Sequence, residues 1–128
     1  MDYEINDNFV VFTDPDKKHD EIIESMFGDK ANMPDALFTF SDELAVEAIL
    51  KLKKMGYNVP KDVSVVGFGN SNLCEIVEPN LTSVTHEPEE MGEAAAELLF
   101  KVIQNRHIPP HLRNQKFDSR VVIRDSSR

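Results

Sequence analysis

Cysteine is nearly absent from this sequence: its 128 residues include only one, Cys74. A single cysteine cannot form an internal disulfide, which excludes a secreted, disulfide-stapled scaffold and favours a reducing compartment. It also excludes a metal centre built from clustered cysteines. No apolar run approaches the ~18 residues that cross a membrane, and the first residues are acidic where a signal peptide would be basic. We therefore expect a cytoplasmic protein without a membrane partner.

Basic residues are also scarce. The sequence has 14 Lys and Arg against 23 Asp and Glu, a net charge of −9, which disfavours binding to a phosphate backbone. Only residues 101–128 carry a net positive charge, and their basic side chains are dispersed, several among apolar residues at strand spacing. This segment could be a nucleic-acid arm, but the dispersion favours the solvated face of a strand.

The sequence lacks the short motifs of catalysis. It contains no G-x-S-x-G and no phosphate-binding loop, and the run VVGFGN has neither the G-x-G-x-x-G spacing nor the lysine of a P-loop. Cys74 stands in no nucleophile motif, and the 4 histidines are scattered. We therefore expect no enzyme activity, no cofactor and no metal site.

The length and the apolar content predict one folded domain. Hydrophobic residues make up 41% of the chain, enough for a core at this size. Apolar runs predict strands at 9–12, 36–40, 63–68, 82–85 and 117–124. Helical spacing predicts helices from Pro15 to near Gly28, from 42 to 55 and from Pro88 to near Asn105. Alternating strands and helices favour an α/β fold with a parallel sheet.

The helix that follows Ser41 has the clearest signals. Ser41 is a typical N-cap, Asp42 and Glu43 place acids in the first turn, and Gly56 stands where a left-handed C-cap belongs. Its apolar residues recur at spacings of three and four, which predicts one buried face.

Four blocks of sequence resemble a known family. They read PDALFTFSDELAVEAI, VPKDVSVVGFGN, EPNLTSVTHEPEEMGEAAAELL and RVVIRDSS. In this order they are similar to the C-terminal part of LacI/GalR-family transcriptional regulators. Members of that family have an N-terminal helix-turn-helix, a hinge helix and a two-lobed core that binds a small effector in its cleft. The resemblance implies a three-layer α/β fold with a mainly parallel sheet, part of a type I periplasmic-binding-protein-like fold.

The resemblance also predicts the domain organisation. It identifies residues 1–128 as a truncated effector-binding and dimerisation domain, mainly the C-terminal lobe, with a crossover and helix near 82–105 that belong to the other lobe. Operator DNA would be contacted only through residues outside this chain, which has no DNA-binding domain of its own. The helix stripe Met91, Leu98, Leu99 and Val102 would then lack its usual partner, so we expect a homodimer, with domain swapping as one route.

The candidate effector-binding residues follow the predicted strands. Ligands of open α/β sheets bind beyond the carboxyl ends of the strands, which gives Asp14, Phe40, Ser41, Asp42, Gly69 and Asn70, and the crossover adds His86. By the resemblance, Ser41 replaces an asparagine, His86 replaces a glutamine, and Gly69 replaces an aspartate that grips sugar hydroxyls. Ser41 serves equally well as a helix N-cap, and Asp42 is favoured as a first-turn acid.

A second set of residues is predicted to join two subunits. The segment from Gly69 to Asn80 is more apolar than a free loop requires. The resemblance places Val46, Leu73, Ile76 and Val77 at a dimer interface, although such residues also fold under a loop as ordinary core.

The function implied is that of the ligand-sensing and dimerisation part of a regulator, in which a small effector, a sugar or another metabolite, modulates operator binding. The effector would bind weakly or not at all to this chain alone. The alternative is a type I solute-binding protein for sugar transport, since the fold does not decide between them. The segments VPKDVSVVGF and RVVIRDSS resemble the regulators more than the secreted receptors, which favours the regulator.

Overall fold

Helices and strands alternate along the chain, as the apolar pattern predicts. The structure, a computed structural model, describes residues 9–12, 18–104, 108 and 110–128. The strands of the described part are β1 Ala36–Phe38, β2 Ser64–Phe68, β3 Thr82–His86 and β4 Ser119–Val122. The helices are α1 His19–Phe27, α2 Asp42–Lys54, α3 Leu73–Ile76, α4 Pro88–Ile103 and α5 Pro110–Arg113.

The four strands form one sheet in the order β1-β2-β3-β4. β1 runs parallel to β2, with Leu37 opposite Val65, and β2 runs parallel to β3, with Val66 opposite Thr82. The predicted α/β fold with a mainly parallel sheet is therefore confirmed, and the carboxyl ends of β1, β2 and β3 lie at the same edge of the sheet.

Helix α2 forms the centre of the core. The Ser41 Oγ accepts a hydrogen bond from the Leu44 N–H at 3.3 Å, which is the predicted N-cap. Gly56 has φ +86°, the left-handed conformation expected after the helix. Between these ends, α2 packs against α1, β2 and α3. The residues that are fully or almost fully buried around it include Phe27, Ala45, Ala48, Ile49, Leu52, Val63 and Val65.

The first predicted strand is wrong. Phe9 lies in a 3-10 turn, and residues 10–12 have no regular structure. A strand is stable only beside a neighbour that accepts its backbone hydrogen bonds, and among the described residues β1 pairs only with β2. The predicted start of the first helix, at Pro15, lies outside the described residues; α1 begins at His19. The short helices α3 and α5 are additions that the sequence did not predict.

The C-terminal residues after β4 bond to both β2 and β3 through Ser126. Ser126 is fully buried. Its Oγ donates to the Val65 C=O at 2.6 Å and accepts from the Thr82 N–H at 2.8 Å, and its C=O accepts from the Val65 N–H at 2.8 Å. Ser126 therefore satisfies backbone groups of two neighbouring strands at their amino ends.

The chain divides into two units. Unit 1 comprises Met1–Val84 and Val121–Arg128, and unit 2 comprises Thr85–Arg120. In unit 2, no residue of α4 is buried. The apolar stripe predicted on this helix is mostly exposed: Met91 is 40%, Leu99 58% and Val102 50% exposed, and Leu98 is partly buried.

Candidate effector site

The turn after β1 is set by short-range hydrogen bonds. Thr39, which is buried, donates its hydroxyl proton to the Ser41 C=O at 2.7 Å, and Ser41 caps α2. Between them the Phe40 ring is 66% exposed. Ser41 therefore has the capping role that was its alternative reading, while the hydroxyl hydrogen remains available to donate to a ligand.

Asp42 lies beneath the surface of this edge rather than on it. The residue is 1% exposed. Its Oδ1 accepts from the Ser83 hydroxyl at 2.6 Å, and its Oδ2 accepts from the Ser71 N–H at 2.6 Å. Gly67 leaves the space for this carboxylate, because a Cβ there would collide with Oδ1. Asp42 therefore joins α2, β3 and the loop after β2, and its contact with an effector stays a prediction.

The loop after β2, residues Gly69–Ser71, has an unusual backbone. Gly69 has φ +120° and Asn70 has φ +52°. Glycine adopts positive φ without steric cost, and asparagine tolerates the left-handed region better than most residues. The Gly69 N–H donates to the Val84 C=O at 2.8 Å, and the Asn70 N–H donates to the Ser83 Oγ at 3.1 Å. The backbone preferences of Gly69 and Asn70 and their two hydrogen bonds therefore stabilise the same loop conformation.

Arg124 is the residue of this site that sequence reasoning missed. It was counted among the solvated basic residues, yet its side chain is only 15% exposed. Its Nη2 donates to the Asn70 Oδ1 at 2.9 Å and its Nη1 to the Leu81 C=O at 2.8 Å. The Glu75 carboxylate lies 3.7 Å from Nη2. The one signal in the sequence was the position of Arg124 within the block RVVIRDSS.

Cys74 packs beneath the same loop and is fully buried. Burial raises the pKa of its thiol, and the neighbouring Asp42 carboxylate raises it further. A thiol with a raised pKa remains protonated at neutral pH and is a poor nucleophile. Cys74 therefore acts as a small core residue.

The remaining predicted site residues are not placed with these. Asp14 lies outside the described residues. His86 belongs to unit 2, at the end of β3, and is partly buried. Within unit 1, Asp42 and Asn70 share Ser83 as a hydrogen-bond partner, Gly69 precedes Asn70 and bonds to Val84, and Ser41 precedes Asp42 at the start of α2.

An open apolar cavity of about 410 Å³ adjoins β1. Phe40 forms part of its wall, together with residues of α1, α2, β1 and the segment 9–12. Apart from His19 and Thr39, its lining side chains are hydrophobic: Phe9, Val11, Phe12, Ile22, Ile23, Met26, Leu37, Phe38, Phe40, Leu44 and Ala48. Such a lining suits apolar side chains better than sugar hydroxyls.

The residues predicted at a dimer interface divide into two groups. Val77 is 9% exposed and belongs to the core, as the alternative reading allowed. Ile76 is 76% exposed, and Leu50, one helical turn after Val46 on α2, is 50% exposed. Val46 and Leu73 are partly buried. Because α2 packs against α3, we name these residues the α2–α3 patch: Val46, Leu50, Leu73 and Ile76.

Comparison with known proteins shows the family of the chain. Residues 5–127 match the family described as periplasmic binding protein-like domain. The chain belongs to this family. Its relatives are transcriptional regulators: GalR of Streptococcus thermophilus is 35% identical over 109 residues, and CytR of Escherichia coli K12 is 35% identical over 95 residues. These matches cover 84% and 74% of this chain, but only 32% and 27% of the relatives. The chain therefore spans between a quarter and a third of their length.

Solved structures agree with this placement in the periplasmic binding protein-like family. A LacI-family regulator from Lactobacillus casei with bound sucrose has a TM-score of 0.70 and 26% identity, over 84% of this chain and 39% of that protein. The regulator CelR in complex with cellobiose has a TM-score of 0.75 and 27% identity, over 96% and 37%. Within the described residues no helix is long and apolar enough to cross a membrane. In the same part of the chain, no three His, Cys, Asp or Glu side chains are grouped to hold a metal ion.

Proposed function

We propose that this chain senses a small, sugar-like effector as part of a LacI-type transcriptional regulator. One observation carries the proposal: Asp42 binds the loop after β2 to the start of α2, which places both turns side by side at the carboxyl edge of a parallel sheet. The names of the relatives favour a regulator over a transport protein. Two solved relatives are described with bound sucrose and cellobiose.

The effector site can be tested by titrating the whole chain with sucrose, cellobiose and glucose while recording amide chemical shifts. We expect weak binding that shifts the amides of Ser41, Gly69 and Asn70. Phe40→Ala should weaken these shifts because its exposed ring borders the turn, whereas Phe9→Ala serves as a control on the wall of the apolar cavity. If no sugar moves these amides, or if all shifts cluster around the cavity, the proposed site is wrong.

In this proposal operator binding belongs to residues outside the chain. The net charge of −9 gives the chain itself little attraction for a phosphate backbone. A mobility-shift assay with the chain and a LacI-type operator should therefore show no retarded complex. Specific nanomolar binding by these 128 residues would contradict the assignment.

We further propose that the α2–α3 patch joins two copies of the chain. An apolar side chain as exposed as Ile76 is stabilised when a partner covers it. Sedimentation equilibrium should show a dimer that Ile76→Asp weakens by at least tenfold. Ile123→Asp is the matched control, because Ile123 is 77% exposed and lies outside the patch. If both substitutions act alike, or if neither acts, this interface is wrong.

The exposed stripe of α4 offers a second route to association, in which the unit from Thr85 to Arg120 is exchanged between copies. Its support is the exposure of Leu99, Val102 and Ile103, which are apolar and at helical spacing. If the dimer survives Ile76→Asp and is lost with Leu99→Asp, exchange through α4 replaces the α2–α3 patch as the mode of association.

A further inference from the structure

The loop Gly69–Ser71 lies between the two places where the chain passes from one unit to the other. The chain leaves unit 1 between Val84 and Thr85, within β3, and returns between Arg120 and Val121, within β4. The residues that lead up to the first passage end at Val84, and those that follow the second passage begin at Val121. Both sets belong to unit 1. Their hydrogen bonds to the loop therefore lie within that unit.

The first passage is bonded to the loop through the backbone and through Ser83. The Val84 C=O accepts from the Gly69 N–H at 2.8 Å, and the Ser83 Oγ accepts from the Asn70 N–H at 3.1 Å. Ser83 is fully buried. Since the same hydroxyl donates to Asp42, the position of Ser83 is fixed from two directions.

The segment that follows the second passage is bonded to the same loop through Arg124, the fourth residue of unit 1 after that passage. Its guanidinium spans the Asn70 Oδ1 and the Leu81 C=O. Its backbone is held as well, because the Arg124 N–H donates to the Thr82 Oγ1 at 2.8 Å. A charged donor on a largely buried side chain makes a stronger hydrogen bond than a neutral one.

We propose that the loop Gly69–Ser71 couples the two passages to each other, with Ser83 and Arg124 as its positioning residues. Movement of the loop must strain its bonds to β3 and to the residue after β4 together, because the adjacent residues Gly69 and Asn70 carry both sets of bonds. An effector held by this loop would then bias both passages at once. That last step rests on the proposed function, whereas the coupling itself does not.

Amide hydrogen exchange of the whole chain tests the coupling without a ligand. The reporter is the Gly69 amide, which bonds to neither Ser83 nor Arg124 directly. Arg124→Met keeps most of the side-chain stem and should speed its exchange roughly tenfold, the effect of losing a charge-assisted hydrogen bond. Arg128→Met is the matched control, because Arg128 lies in the same C-terminal segment but donates to the Lys61 C=O instead. The Ile49 amide in α2 reports any general loss of stability.

A double-mutant cycle gives the decisive result. Ser83→Ala and Arg124→Met should each speed Gly69 exchange more than Ile49 exchange, and their joint effect should depart from the product of the single effects by about threefold or more. Ser83→Ala combined with Arg128→Met should show no such departure. Independent effects of Ser83 and Arg124, or equal acceleration at Ile49, would overturn the coupling. The sugar titration decides the proposed function separately, because it reports ligand-induced shifts.

Discussion

Replacing Asp42 tests the structural core of the candidate site. The carboxylate accepts two hydrogen bonds, one from a side chain and one from a backbone N–H, at a residue that is 1% exposed. Charge-assisted hydrogen bonds contribute about 1.5–3 kcal/mol each and neutral ones about 1 kcal/mol. Asp42→Asn keeps the shape but loses the charge at both bonds, and its NH₂ group cannot accept from either donor.

The expected loss in unfolding free energy is therefore about 2 kcal/mol for Asp42→Asn. It should be about 3–4 kcal/mol for Asp42→Ala, which also removes the acceptor of the Ser71 N–H and leaves the Ser83 hydroxyl only the longer bond to the Val84 C=O at 3.4 Å. With a urea m-value of about 1.5 kcal/mol/M, the larger loss lowers the unfolding midpoint by roughly 2–3 M. Circular dichroism during urea titration measures this midpoint.

The control is Glu43→Ala. Glu43 also lies in the first turn of α2 but is exposed, so its removal should cost only the favourable interaction with the helix dipole, about 0.5 kcal/mol. If Asp42→Asn and Glu43→Ala lower the midpoint equally, Asp42 acts through the helix dipole alone. The account of a buried junction between α2, β3 and the loop after β2 would then be refuted.

Further substitutions test the packing around this junction. Gly67→Ala should destabilise the chain by more than about 2 kcal/mol because its Cβ would collide with Asp42. Gly92→Ala, by contrast, has open space around it in α4 and should stabilise this helix by about 0.5–1 kcal/mol. Thermal unfolding measures both effects. Ser126→Ala should lower the free energy of unfolding by about 2–3 kcal/mol, since it removes the side-chain partner of two backbone groups. Its control, Ser25→Ala, removes an exposed hydroxyl and should lower it by less than about 0.5 kcal/mol. Urea titration measures both. Because the pKa of Cys74 is raised on folding, its stabilising contribution is complete below the ordinary thiol pKa of 9.0 and is lost as pH rises through the folded value. Urea titrations across this pH range should show that the free energy of unfolding falls as pH rises, and that the fall is smaller in Cys74→Ala.

The parts of this fold that the sequence predicted are those with local causes. Helix α2 was predicted with its ends because Ser41 and Gly56 act on their immediate neighbours. Strand β2 was predicted from a run of β-branched residues. The strand predicted at 9–12 failed although its residues are equally apolar, because a strand also needs a neighbour, and local composition carries no information about that neighbour.

The parts that the sequence did not predict depend on distant partners. Asp42 bonds to Ser83, 41 positions away, and Arg124 bonds to Asn70, 54 positions away. Neither hydrophobic periodicity nor helix capping relates residues so far apart in sequence. Asp42 was therefore favoured as an ordinary first-turn acid, and Arg124 was assigned to a solvated strand face. Helix α3 has only 4 residues, too few to show helical periodicity.

The hydrogen bonds of the site limit how it could recognise an effector. The Asp42 carboxylate is occupied by internal donors, the Asn70 amide oxygen is engaged by Arg124, and Gly69 has no side chain. What this edge presents instead are the rings of Phe40 and Phe68, which are 66% and 36% exposed, together with the Ser41 hydroxyl and the Asn70 amide hydrogens. Aromatic rings pack against the apolar C–H faces of a sugar ring, and hydroxyl and amide hydrogens donate to its oxygens. A site of this kind would select by the shape of a sugar face and by acceptor position. Gly69→Asp would not simply add an acceptor to it, because Gly69 has φ +120° and an added Cβ would lie 3.4 Å from the Asp42 Oδ2.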